Sequence, residues 1–337
     1  MKSIIEAKKL SIGYNKPYKD SKGELYNDLN FSLNTGELTC LLGINGAGKS
    51  TLLRTISALQ PPLAGCVEVD GCAIEEYSEQ DLSRIMGLVL TDKVSVGGLT
   101  VYELVALGRY PYTGFWGRLN TADKAIVQKA MDDVGITYKS RAYMAELSDG
   151  ERQKVMIAKS LAQECPIVIL DEPTAFLDVT SRIEIMNLLH NIATIHNKAI
   201  LLSTHDIELA LNQADKLWLL SPRYGLMCGA TEDIVLSGKI SAFLGEENIT
   251  FNQDTGNFSI KRTYRHSIFV NPKDKHYHWV KNFMERNGFA ITSEPNNADL
   301  CLKVDAPDSI LYIEKGVEYR LSSFAELREK LKIYISE

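Results

Sequence analysis

The stretch GINGAGKST, residues 43–51, decides the fold of this chain. It fits the pattern G-x-x-x-x-G-K-[S/T], follows the apolar run LTCLL (38–42) and precedes the helical run TLLRTISAL (51–59). Glycines let successive backbone N–H groups converge on phosphate oxygens, and the following helix adds its positive N-terminal end. A glycine-rich turn with a chance lysine is the competing interpretation, and the strand–loop–helix context argues against it. The stretch therefore predicts a nucleotide phosphate loop.

Two side chains of this loop carry the predicted chemistry. Lys49 is expected to reach the β- and γ-phosphates, where it is also a catalytic candidate, and Ser50 is expected to place its hydroxyl on Mg²⁺. The residues expected to contact ATP within the loop are Gly43, Asn45, Gly46, Ala47, Gly48, Lys49, Ser50 and Thr51. ATP and Mg²⁺ are the expected cofactors.

A second motif, PIVILDEP (166–173), places Asp171 and Glu172 at the end of an apolar strand. Adjacent residues of a strand point to opposite sides of the sheet, so the two acids are expected to serve different roles. Asp171 is predicted to hold Mg²⁺, and Glu172 to orient or deprotonate the attacking water. An acidic turn is common by itself, but phosphoryl transfer needs such a metal carboxylate.

Composition narrows the class of protein. The 337 residues suggest about two domains, and 45% hydrophobic with 24% charged residues is ordinary for a globular protein. The formal net charge of −6 argues against a nucleic-acid partner. The six cysteines are scattered without a C-x-x-C pair, which is typical of reduced cytoplasmic thiols. No apolar run reaches the roughly 20 residues of a membrane helix, so any membrane role is expected through a partner.

The order of the patterns predicts the domain organisation. Short apolar runs alternate with helical segments, which indicates an α/β fold with a parallel sheet covered by helices. A largely helical arm, about residues 100–163, is expected to insert between the strands. We predict an ATP-binding domain over residues 1–248 and a small α+β accessory domain over residues 249–337.

The segment LSDGERQKVMIAKSLAQ, residues 147–163, lies shortly before the acidic pair. It resembles the signature sequence and following helix of ATP-binding-cassette (ABC) ATPases, and the resemblance covers residues 1 to about 245. It implies a P-loop cassette with a RecA-like core sheet and a helical subdomain. It also implies roles for Tyr14, stacking on adenine, for His205, contacting the γ-phosphate as a catalytic residue, and for Asp178, in the loop that couples the nucleotide sites.

The resemblance further implies a head-to-tail homodimer, in which Ser148 and Gly150 of one chain contact the ATP of the other. Three positions depart from the family pattern. Asp149 and Glu151 replace a glycine and a glutamine of the signature, and we expect Asp149 to point away from the nucleotide. Thr91 stands where relatives carry the glutamine that senses Mg²⁺ and water, and we assign it to the Mg²⁺ shell because a hydroxyl can act through a bridging water.

The arm sequence ELVALGRYPY (103–112), followed by GRL, Asp123 and VGI, resembles ATPases that power import of ferric siderophores, haem and cobalamin. The resemblance implies a membrane permease as partner, a substrate-binding protein acting indirectly, and a cytoplasmic position on the inner membrane face. The alternative is a soluble cassette ATPase that acts on nucleic acid, ribosomes or cofactor assembly. The C-terminal domain is left open between packing, dimerisation and sensing, and His276 with His278 are weak metal candidates.

Overall fold

The computed structural model describes residues 2–14, 23–90, 98–114, 117–245, 249–253, 255–272, 275–292, 294, 298, 300–314 and 316–335. The chain divides into two compact units. The first comprises Met1–Gly245 with Phe251–Asn257, and the second comprises Glu246–Thr250 with Phe258–Glu337. The predicted domain boundary after residue 248 stays a prediction.

The central sheet of the first unit has six strands. They are β3 (Leu38–Leu42), β6 (Met86–Val89), β7 (Ile167–Leu170), β8 (Ala199–Thr204), β9 (Lys216–Ser221) and β10 (Gly225–Ala230). The spatial order is β10-β9-β3-β8-β7-β6, and only β10 pairs antiparallel. Strands β3, β7 and β8 are buried along their whole length, as the continuous apolar runs predict. Leu42 lies opposite Thr204, so β3 and β8 end at the same edge of the sheet.

A second, antiparallel sheet packs within the same unit. Its strands are β1 (Ser3–Gly13), β2 (Glu24–Asn34), β4 (Ala64–Val69) and β5 (Cys72–Ala73), in the order β2-β1-β4-β5. Buried residues of both sheets share one core, in which the rings of Phe31 and Trp218 lie 4.5 Å apart. Burial of this apolar surface is the main favourable term that holds the unit together.

Helices cover the strands of the first unit. They are α1 (Lys49–Ile56), α2 (Glu79–Ile85), α3 (Val101–Ala106), α4 (Thr121–Asp133), α5 (Asp149–Ala162), α6 (Val179–Ile195), α7 (Ile207–Gln213), α8 (Thr231–Leu236) and α9 (Lys239–Leu244). Helices α3, α4 and α5 lie between β6 and β7 in the chain and pack on one another. The fold therefore contains the predicted helical subdomain, whose bounds of about residues 100–163 stay a prediction.

The second unit is α+β, as predicted. Its strands are β13 (His266–Val270), β14 (Phe289–Thr292), β15 (Leu300–Ala306), β16 (Ser309–Glu314) and β17 (Val317–Leu321), and its helices are α10 (Tyr277–Arg286) and α11 (Phe324–Ile335). The sheet order is β14-β13-β15-β16-β17. Val280 and Met284 of α10 and Leu327 and Leu331 of α11 are buried in its core. The short strands β11 (Ile249–Phe251) and β12 (Phe258–Ile260) form a separate pair.

Candidate functional site

The phosphate loop joins β3 to α1 with the backbone that the glycine pattern predicts. Gly46 and Gly48 adopt φ values of +79° and +90°, which glycine reaches without the steric cost of a side chain. Lys49 is 7% exposed, and its Nζ donates a hydrogen bond to the Gly43 carbonyl over 2.8 Å. Asn45 and Gly46 lie exposed at the tip of the loop, whereas Ala47 is buried. The loop is thus held in a curled form.

Two tyrosines contact this loop. Tyr26 of β2 donates its hydroxyl hydrogen to the Ala47 carbonyl over 2.8 Å, and sequence reasoning missed it because residue 26 lies far from the motif. Burial raises the pKa of Tyr26, which favours the protonated hydroxyl that donates this bond. Tyr14 hydrogen-bonds the Thr51 hydroxyl over 3.1 Å and is half exposed. Its stacking role stays a prediction.

Asp171 follows the buried strand β7 and accepts hydrogen bonds from two hydroxyls. Ser50 Oγ donates to Asp171 Oδ2 over 2.9 Å, which brings the two predicted Mg²⁺ ligands together. Ser203 Oγ donates to Asp171 Oδ1 over 2.6 Å and accepts the Glu172 N–H over 2.9 Å. Ser203 was missed by sequence reasoning. Its only signal is a polar residue within the buried strand AILLST of β8.

Glu172 lies beyond the end of strand β7, and its orientation relative to Asp171 across the sheet stays a prediction. Strand β7 ends at Leu170, and Glu172 adopts a left-handed φ of +47°, so strand alternation no longer applies. Its Oε1 lies 3.9 Å from Lys49 Nζ, and its Oε2 lies 3.9 Å from Nδ1 of the exposed His205. Lys49, Ser50, Asp171, Glu172 and His205 therefore form one cluster.

The signature residues lie at the start of α5. Ser148 caps the helix, since its hydroxyl oxygen accepts the Glu151 N–H over 3.2 Å while its own N–H donates to Glu151 Oε2 over 2.9 Å. The Ser148 N–H lowers the pKa of Glu151. The half-exposed Asp149 pairs with Arg152 of its own helix over 3.3 Å.

Gly150 packs against the first turn of α6. A methyl group at Gly150 would lie 3.0 Å from Ser181 Oγ, so the approach leaves little room for a side chain. Asp178 caps α6, because its carboxylate accepts hydrogen bonds from Ser181 N over 2.9 Å and Ser181 Oγ over 3.0 Å. These contacts lower the pKa of Asp178. Ser148, Gly150 and Asp178 thus lie at the starts of two helices, α5 and α6, which meet at Gly150 and Ser181. Thr91 lies outside the described residues.

The GRYPY segment of the arm has a structural explanation. Arg109 is 5% exposed, and it donates to Asp123 Oδ1 over 3.0 Å, to the Ala162 carbonyl over 2.8 Å and to Glu164 Oε2 over 2.7 Å. Its guanidinium lies over the Tyr112 ring at 4.2 Å from the centroid. A Cβ at Gly108 would lie 2.3 Å from the Lys159 carbonyl oxygen. The motif therefore fastens the segment after α3 to α4 and to the end of α5.

Two protein families match the chain. The family described as ABC transporter matches residues 26–175, and the one described as iron ABC transporter C-terminal domain matches residues 265–332. An uncharacterized ABC transporter ATP-binding protein of Methanocaldococcus jannaschii is 39% identical over 258 residues, 77% of this chain and 87% of that protein. This chain belongs to the ABC transporter family.

Further comparisons agree with this assignment. The ferric enterobactin transport ATP-binding protein of Escherichia coli is 35% identical over 241 residues, 72% of this chain and 87% of that protein. The solved structure of cbiO1 of Clostridium perfringens, part of the ABC transporter complex cbiONQ, superposes with a TM-score of 0.61 at 26% identity. The match covers 71% of this chain and 93% of that one.

The chain is therefore an ABC-type ATPase, and the ABC cassette fold predicted for it is confirmed. ABC cassettes bind ATP, which confirms the expected nucleotide. The alternative of a cassette ATPase outside transport finds no support in these comparisons. Among the helices that the structure describes, none is both long and apolar enough to span a membrane.

Proposed function

We propose that this ABC ATPase drives the import of an iron complex through a membrane permease. The observation that carries the proposal is the match of residues 265–332 to the iron ABC transporter C-terminal domain. The ferric enterobactin relative supports the same chemical class of cargo. Within this class we place ferric siderophores first, then haem, with cobalamin as the other candidate. Residues 1–248 are then the ATP-binding domain, and residues 249–337 are the accessory domain.

In this proposal, the cluster around the phosphate loop binds and hydrolyses ATP. Lys49 holds the β- and γ-phosphates, and Ser50 with Asp171 holds Mg²⁺. The fit rests on Ser50 Oγ and Asp171 Oδ2 lying 2.9 Å apart, since hydroxyl and carboxylate oxygens are the ligands that Mg²⁺ prefers. Bound Mg²⁺ supplies positive charge that offsets the charge of the phosphates. Glu172 accepts a proton from the attacking water. His205, which lies near the Glu172 carboxylate oxygen that does not face Lys49, contacts the γ-phosphate.

Two copies of the chain are proposed to pair head to tail. Ser148 and the Gly150 amide of one copy then contact the ATP bound at the phosphate loop of the other. The capping geometry supports this role, because the Ser148 oxygen accepts from Glu151 and its hydroxyl hydrogen remains able to donate. The helical arm contacts the permease, which places the ATPase on the cytoplasmic face of the membrane, and a substrate-binding protein delivers the cargo.

Uptake of labelled cargo tests this function. Cells that carry only the Glu172→Gln chain are compared with cells that carry the native chain or the matched control Glu208→Gln, an exposed acid of α7. Each strain receives radiolabelled ferric siderophore, haem or cobalamin. The proposal expects energy-dependent uptake of the iron complex with the native and control chains, and its loss with Glu172→Gln. Equal uptake of every compound in all strains would contradict it.

A further inference from the structure

Glu151 is the centre of a small polar cluster that joins the signature to the turn after α4. Its Oε1 accepts a hydrogen bond from the Tyr138 hydroxyl over 3.0 Å and lies 3.6 Å from Lys139 Nζ. Its Oε2 accepts the Ser148 N–H over 2.9 Å. The carboxylate that replaces the family's glutamine therefore contacts Ser148 of the signature once. It also makes one contact each with Tyr138 and Lys139.

Tyr138 and Lys139 are held in place by the end of α4. They belong to a single helical turn, Thr137–Lys139, that follows α4. The Thr137 hydroxyl donates to Asp132 Oδ1 over 2.5 Å, and Gln128 donates to the same oxygen over 3.2 Å. The turn is thus fastened to α4 before it reaches Glu151. The two contacts to Glu151 consequently link the end of α4 to the cap of α5.

The acidic residues of this cluster lie where the proposed dimer binds ATP, so their charge matters for nucleotide binding. The first turn of α5 carries two acids, Asp149 and Glu151, at the helix end that the proposed dimer turns toward ATP. Uncompensated carboxylates there would repel the phosphates and oppose the attraction of the helix end for anions. Each acid has its own cation: Arg152 pairs with Asp149 over 3.3 Å, and Lys139 lies 3.6 Å from Glu151. Only Lys139 comes from outside the helix.

We propose that Tyr138 and Lys139 are positioning residues that hold Glu151 in a charge-compensated capping box, and that they thereby keep Ser148 able to engage the partner's ATP. The inference rests on the proposed head-to-tail function. Glu151 itself retains 21% of its side-chain exposure and Lys139 retains 35%, so the pair lies at the surface where the partner arrives. Removing the lysine leaves a carboxylate that becomes less solvated when the two copies close on ATP.

A charge cycle in the full chain tests the proposal. Lys139→Met, Glu151→Gln and the double variant are each made in the Glu172→Gln background, and dimer formation is titrated with Mg-ATP by light scattering. Lys139→Met is expected to raise the half-saturating ATP concentration about threefold, because the affinity for ATP falls about threefold at each of the two equivalent sites. The double variant should have a half-saturating ATP concentration within about twofold of that of Glu151→Gln alone. The reason is that Glu151→Gln removes the charge that Lys139 compensates. Lys129→Met, an exposed lysine of α4, is the matched control and should have no effect.

The outcomes separate the two proposals. The positioning role is supported if Glu172→Gln forms an ATP-dependent dimer, Lys139→Met weakens that dimer, and Glu151→Gln removes the weakening. A dimer in which Lys139→Met has no effect, or in which the double variant stays as weak as Lys139→Met, overturns the positioning role and leaves the proposed function intact. No ATP-dependent dimer in Glu172→Gln overturns both. Thermal unfolding of each variant shows that the surface substitutions leave the fold unchanged.

Discussion

The hydroxyl of Ser203 donates a hydrogen bond to the carboxylate of Asp171 over 2.6 Å. The same hydroxyl oxygen accepts the N–H of Glu172, so one buried side chain of β8 fixes both acidic residues after β7. This arrangement follows from the parallel pairing of β7 with β8. The orientation of the two acids therefore depends on a residue about thirty positions away in the sequence.

Ser203→Ala is predicted to lower both stability and ATP hydrolysis. The substitution removes a donor to a partly buried carboxylate, at a cost of about 1–3 kcal/mol in the free energy of unfolding. Loss of the fixed Asp171 and Glu172 geometry should lower kcat about 10- to 100-fold. Urea unfolding and steady-state ATPase assays measure the two effects. Ser57→Ala, which removes a buried hydroxyl bonded to the Leu53 carbonyl, should cost stability but leave kcat nearly unchanged; equal kcat losses would contradict the account.

Tyr26→Phe is predicted to loosen the phosphate loop. It leaves the Ala47 carbonyl without the hydroxyl donor, which should cost about 1 kcal/mol of stability and weaken ATP binding severalfold. Equilibrium binding of a fluorescent ATP analogue and urea unfolding measure these changes. The control is Tyr77→Phe, which removes a similar bond to the Val69 carbonyl away from the loop. The same loss of ATP affinity in both variants would show that Tyr26 has no special role there.

Arg109→Met is predicted to destabilise the first unit strongly. The substitution leaves the Asp123 carboxylate, whose side chain is only 6% exposed, without its cation. The expected loss in the free energy of unfolding is about 3–5 kcal/mol. Arg109→Met with Asp123→Asn should be less harmful than the sum of the two single variants, because the unpaired charge is removed. Urea unfolding of the four proteins completes the cycle. Strict additivity would mean that Arg109 and Asp123 do not stabilise each other.

The buried thiol of Cys165 is predicted to make stability depend on pH and to resist alkylation in the folded protein. Burial raises its pKa from 9.0 to about 11, so the protonated thiol is favoured in the folded state. Its contribution to stability is therefore fully present below about pH 9 and is lost as the pH rises toward about 11. At pH 8, iodoacetamide should modify the exposed Cys72 and spare Cys165 until urea unfolds the chain. Peptide mass spectrometry measures both sites, and equal modification in the folded protein would refute the prediction.

The parts of the site that the sequence predicted are those written in contiguous residues. The phosphate loop, the acidic pair and the signature each combine a local pattern with a local backbone requirement, so Lys49, Asp171 and Ser148 could be named in advance. The alternation of strands and helices similarly predicted a parallel sheet covered by helices, whereas the cassette itself was implied by the resemblance of the signature.

The remaining parts depend on contacts between distant strands and loops. Ser203 and Tyr26 reach the site only through the pairing of β8 and the position of β2, which no local pattern encodes. The backbone of Glu172 was not foreseen, because its left-handed conformation interrupts the alternation of the strand before it. The GRYPY segment suggested a family by resemblance. Its role in packing the helices of the arm follows only from the contacts of Arg109 with Asp123, Ala162 and Glu164.

The most direct test of the central claim is a pull-down from native membranes with the Glu172→Gln chain in Mg-ATP. The substitution removes the proposed base and should slow hydrolysis about 10²- to 10⁴-fold, which traps the ATP-bound form. Mass spectrometry then identifies the proteins that co-purify with it, with Glu208→Gln as the matched control. The account predicts a polytopic membrane permease, recovered in the largest amount with Glu172→Gln. Recovery of ribosomes or other soluble proteins alone would contradict it.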